Sequence, residues 1–88
     1  MKQLRNISGR QLNRLRSKKG LSQKQLAARA QFYGSELSRE KISKMEAGIR
    51  SIDDLDLWHL SLALGVGVNA FFEGLKAERH VTEIRQFL

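Results

Sequence analysis

Arg39, Glu40, Ser43 and Lys44 lie within "LSREKISKMEAG", residues 37 to 48, and on a helix they share one face while Ile42 and Met45 share the other. Burying the apolar side, with Leu37 just ahead of it, turns two cations, a carboxylate and a hydroxyl outward. Arginine and lysine donate hydrogen bonds and a carboxylate accepts them. A helix fits the major groove of B-DNA, where guanine O6 and N7 accept and cytosine N4 donates. The plainer alternative is a solvated face on which Glu40 serves its own helix as an acid in the first turn. Glu40 weighs toward the reading of base edges, because a surface built only to attract phosphate would avoid a carboxylate.

The charge around this stretch is segregated. The 88 residues carry a net +7, but residues 1 to 50 hold thirteen Lys and Arg against Glu36, Glu40 and Glu46, whereas residues 51 to 88 hold Lys76, Arg79 and Arg85 against six acids. Such asymmetry argues for a polyanionic partner met by the N-terminal half. The absence of cysteine excludes disulfides and thiolate zinc sites and suits a reducing cytosol. No apolar run could cross a bilayer and no signal sequence is evident, so one small, soluble, cytoplasmic domain is expected, with no membrane partner. A chain of this size has little room for buried catalytic polarity, and no nucleophile, base and oxyanion donor converge, so an enzyme is not expected.

The elements that must position these residues are marked by a repeated local rule. An apolar residue, a capping residue and a second apolar residue four positions later recur as Ile7-Ser8 with Leu12, Leu21-Ser22 with Leu26, Leu37-Ser38 with Ile42, Ile52-Asp53 with Leu57 and Val66-Gly67 with Phe71. Gln11 and Gln25 stand where a capping box needs them. Gly20, Gly34, Gly48, Gly65 and Gly74 then supply five stops. Helices are predicted over 9–19, 23–32, 39–47, 54–64 and 68–74, around a core of Leu12, Leu15, Leu26, Ala30, Ile42, Met45, Leu57, Leu60, Leu64, Phe71 and Phe72. Ala77, Val81, Ile84 and Leu88 form one stripe of a short sixth helix in the tail. So short a helix must pack back on the core or meet a second chain.

Three blocks in order, "GLSQKQLA", the Ser-x-x-x-Ile-x-x-Met-Glu-x-Gly skeleton of residues 38 to 48, and "LALGVGVNAFF", resemble the phage-repressor or XRE-type (Cro/repressor-like) helix-turn-helix regulators. The resemblance spans roughly residues 7 to 74, and it implies an all-α, compact five-helix lambda-repressor-like DNA-binding domain. It also implies that Arg39, Glu40, Ser43 and Lys44 read bases, and that Gln23, flanked by Ser22 and Lys24, meets phosphate at a helix N-terminus. Lys41 and Arg50 are further phosphate candidates. Arg16 and Glu46 correspond to a family pair in which a first-helix arginine steadies the end of the third helix. One departure stands out: Leu26 and Ile42 are about five residues further apart than the usual three- or four-residue turn allows. The insert around "AQFYGSE" is read as a longer second helix and a longer turn.

Other signals weigh less. Asp53, Asp54 and Asp56 cluster as metal ligands might, but they fall in a first helical turn, where caps and dipole favour carboxylates. His59 and His80 lack a second ligand at a useful spacing, so no metal and no cofactor are expected. Trp58 is placed at the core margin, with a dimer contact as its alternative, and Phe32 and Tyr33 between helices, with base stacking as theirs.

The reading is therefore a sequence-specific transcriptional regulator of the repressor kind, with residues 1–74 as the DNA-binding domain, the helix-turn-helix at about 22–48, and 75–88 as a tail for dimerisation or docking. Its partners would be double-stranded DNA and a second copy, joined through Phe71, Phe72, Leu75, Val81, Ile84 and Leu88. The alternative is a protein-interaction module such as an antitoxin, which grips a partner protein with its tail and binds its own promoter secondarily.

Overall fold

The computed structural model describes residues 4–75, and the tail expected to form a sixth helix lies outside them. Four α-helices follow one another: α1 (Gly9–Lys18), α2 (Gln23–Phe32), α3 (Arg39–Glu46) and α4 (Asp54–Leu64). The described residues form an all-α compact globule of four helices and a 3-10 helix, not the expected five. The segment predicted as the fifth is a 3-10 helix, Val68–Phe72. The six residues between Gly67 and Gly74 cannot offset the cost of nucleating an α-helix, and short runs favour the tighter form.

Three of the helix starts follow the local rule. The Ser22 hydroxyl accepts from Gln25 N–H at 3.0 Å while Ser22 N–H donates to Gln25 Oε1 at 2.8 Å, a reciprocal capping box. Asp53 and Asp56 build the same box on α4, at 2.7 and 3.3 Å, and Ser38 accepts from Lys41 N–H at 3.2 Å on α3. The start of α1 departs from the expectation. Ser8 makes no capping bond, and Asn6 Oδ1 instead accepts from Gly9 N–H at 2.7 Å. Gln11 does not close a box; its amide donates to the Ala70 carbonyl at 3.0 Å and ties α1 to the 3-10 helix.

The stops behave alike. All five predicted glycines have positive φ, and each of the four α-helices closes with a bond from the residue after its glycine to a carbonyl five positions back, as Ile49 N–H does to Lys44 O at 3.0 Å. A different constraint acts at Gly9, inside α1. A Cβ there would lie 2.2 Å from the Met45 carbonyl oxygen, so the first turn of α1 rests backbone to backbone on the last turn of α3.

The core is a single cluster of Leu12, Leu26, Ala27, Ala30, Leu37, Ile42, Met45, Leu60, Ala63, Leu64 and Phe71. Leu15 and Leu57 pack against its edge. Phe72, expected inside, stays exposed, because the tight 3-10 turn points only one of two adjacent aromatics inward and Phe71 takes that place. Trp58, expected at the core margin, is 55% exposed, and Phe32 and Tyr33, expected between helices, are 85% and 46% exposed. Phe32 touches Tyr33 edge to face at 5.3 Å. α2 packs on both α3 and α4, and α1 on α3 and the 3-10 helix. Among the described residues no helix is long and apolar enough to cross a membrane.

Candidate nucleic-acid interface

α3 presents the face that the sequence singles out. Ile42 and Met45 are wholly buried and Leu37 nearly so, which fixes the rotation of the helix, and Arg39, Glu40, Ser43 and Lys44 are all exposed. Among the described residues their side chains form no hydrogen bond or ion pair, and the insert at 31–36 does not cover them. Their donors and acceptors are therefore available to an incoming surface, over the first two turns of the helix.

Behind this face sits a half-buried polar knot. Arg16 reaches from α1 to Glu46 at the end of α3, where Nε donates to Oε2 at 2.7 Å and the second amino group donates to Oε1 at 2.8 Å. Its remaining nitrogen donates to the Leu21 carbonyl at 2.8 Å. Asn13 Nδ2 at 2.8 Å and Gln23 Nε2 at 3.2 Å also donate to Glu46 Oε1. One carboxylate thus ties α1, the start of α2 and the end of α3, with side-chain exposures of only 14% for Arg16 and 6% for Glu46. Burial pushes the Glu46 carboxyl up, but the hydrogen bonds from Arg16, Asn13 and Gln23 and the arginine's charge outweigh it and hold the group below the usual glutamate range. The bond to Glu46 raises the Arg16 guanidinium further, against desolvation.

The phosphate candidates are placed unevenly. Ser22 and Lys24 are exposed at the start of α2. Gln23, beside them, is half-buried with its amide turned onto Glu46. Lys41 and Arg50 are half-buried, and Arg50 Nε is buried without a hydrogen-bond partner among the described residues. Two contributors escape sequence reasoning. Asn13 lies one turn before Arg16 on the same face of α1, a spacing that could have signalled its shared target. Asn6 donates to the Met45 carbonyl at 2.9 Å and the Arg50 carbonyl at 2.7 Å, while Arg5 N–H donates to Gly48 O at 2.8 Å, so the N-terminal strap clasps the end of α3. No local pattern announces those long-range bonds.

The expected dimer surface is corrected in part. Phe71 is fully buried in the core and cannot face a partner. Phe72 and Leu75 are exposed, and Val81, Ile84 and Leu88 lie outside the described residues. Asp53 and Asp56 are engaged as caps; burial raises the Asp56 carboxyl above its usual range, partly offset by the Asp53 backbone bond.

A family model described as a helix-turn-helix domain, among the XRE/Cro-like helix-turn-helix families, matches residues 9–67. No curated protein and no solved structure matches the chain.

Proposed function

Because this chain belongs to the helix-turn-helix domain family, we propose that it is a sequence-specific DNA-binding regulator of transcription, a repressor in kind, that lays α3 in the major groove. The observation that carries the reading is the outward row of Arg39, Glu40, Ser43 and Lys44, exposed and uncommitted, on a helix whose opposite side is locked in the core. Arg39 and Lys44 donate to guanine edges, Glu40 accepts from cytosine, and Ser43 adapts to either. Ser22, Lys24 and the free N–H groups that open α2 meet one phosphate run, with Lys41 and Arg50 on another. Gln23 contributes from its backbone while its side chain steadies Glu46. The six residues between α2 and α3, against the usual three or four, support the reading of a lengthened turn.

One such helix reads only a few base pairs, so useful specificity calls for a homodimer on an inverted repeat with half-sites roughly 34 Å apart. The test is a pair of binding titrations on a preferred site and on scrambled DNA. Arg39→Ala or Lys44→Ala is expected to cost about 1 to 3 kcal/mol on the preferred site alone. Lys24→Ala is expected to weaken both DNAs alike and to flatten the salt slope by about one unit. Equal losses on both DNAs for all three variants would contradict the division into base and phosphate contacts.

A further inference from the structure

α4 is buried on one side through Leu60, Ala63 and Leu64, yet its other side is also apolar. Leu55 is 58% and Trp58 55% exposed, and with half-buried Leu62 they make one stripe at spacings of three and four. The stripe ends differ in charge. At the start of the helix stands Asp54, exposed and without an ion pair among the described residues. At the other end Leu62 forms part of an open groove with Ala63, Phe32, Tyr33, Lys19 and Arg29. Neither Lys19 nor Arg29 has an ion-pair partner among the described residues.

We propose that this stripe and groove are the seam of a homodimer, in which α4 of a second copy lies antiparallel across α4 of the first. Trp58 stands midway between Asp54 and Leu62, four residues from each, so a two-fold axis at Trp58 carries each acidic end onto the other copy's basic groove. The span from Asp54 to Leu62 is about 12 Å along the helix. Leu55 of each copy then meets the partner's Leu62 and Phe32, and Trp58 packs across the axis. Such self-complementarity, with an aromatic anchor at the centre and opposite charges at the rim, is what an isologous contact requires. α2 separates α4 from α3, so the outward row of α3 stays open while the seam is closed. The proposal supplies the homodimer of the preceding reading with its surface and rests on that reading only for its use; its test contains no DNA, so the two fail separately.

The experiment is sedimentation equilibrium of the full chain, read together with the emission of Trp58, the only tryptophan. The wild type is expected to dimerise with concentration, its emission moving to shorter wavelength as Trp58 leaves water. Arg29→Asp and Asp54→Arg, each placing like charges at both rims, are expected to weaken the dimer at least about ten-fold. An equimolar mixture of the two variants is expected to restore it, because one rim of the mixed dimer is native and the other is reversed. If circular dichroism shows Asp54→Arg unfolded, Trp58→Glu takes its place and is expected to be monomeric. A wild type that stays monomeric, an emission unchanged by concentration, variants that dimerise like the wild type through another surface such as the tail, or a mixture that stays dissociated would each overturn the proposal.

Discussion

At the scale of single residues, Glu46 shows how one carboxylate can hold three helices in register. Its oxygens accept from Arg16, Asn13 and Gln23, so removing its charge leaves a half-buried guanidinium without its counter-ion. Glu46→Gln is expected to destabilise the fold by on the order of 2 to 3 kcal/mol and to lower DNA affinity with it. Unchanged urea midpoints and unchanged affinity would contradict the role. The pH dependence has a definite sign. A carboxyl held below its unfolded value contributes stability that is complete above the unfolded value of about 4.3 and is lost as pH falls through the folded one. Asp56, raised by burial, acts oppositely: its contribution is present below the unfolded carboxyl range and fades as pH rises through its folded value. Urea titrations between neutral pH and about pH 3 should therefore fall less steeply in Glu46→Gln than in the wild type.

Elements were legible in proportion to how local their causes are. The capping pairs Ser22 with Gln25 and Asp53 with Asp56, and the glycines that end each α-helix, are decided within one turn of chain, and the structure follows them closely. The start of α1 was misread because two capping residues, Asn6 and Ser8, compete within one turn. The choice falls to Asn6 through its bonds to the distant carbonyls of Met45 and Arg50. Asn6→Ala is therefore expected to cost about 1 to 3 kcal/mol in urea unfolding and Ser8→Ala close to nothing, whereas a cap at Ser8 would reverse that order. Gly9 carries a second such test. Glycine to alanine inside a helix ordinarily stabilises, but here the new methyl would strike the Met45 carbonyl, so Gly9→Ala is expected to destabilise by about 1 to 3 kcal/mol. A gain in stability would contradict the backbone contact between α1 and α3. Phe72 departs from the expected core for a related reason: it and Phe71 are equally apolar, and only packing decides which enters the core.

For the whole molecule, the segregated charge and the exposed row on α3 were both legible from the sequence, because each is a matter of composition and helical spacing. The polar knot behind α3 was legible only as the pair Arg16 and Glu46, since Asn13 and Gln23 join it through tertiary contacts. On the proposed reading, the basic half gives the molecule its general attraction for a polyanion and the α3 row the means to choose among sequences. These two contributions separate with salt: affinity for any DNA should fall linearly on logarithmic axes as salt rises, while the ratio between preferred and scrambled sites changes little. A ratio that collapses in parallel with affinity would reduce the row to phosphate contacts. Selection from random-sequence duplexes with the purified chain tests the central claim most directly. It is expected to return a short motif repeated in inverted orientation with half-site centres about 10 base pairs apart. Recovery of duplexes with no shared motif, bound as tightly as the starting pool, would contradict the claim that α3 reads bases.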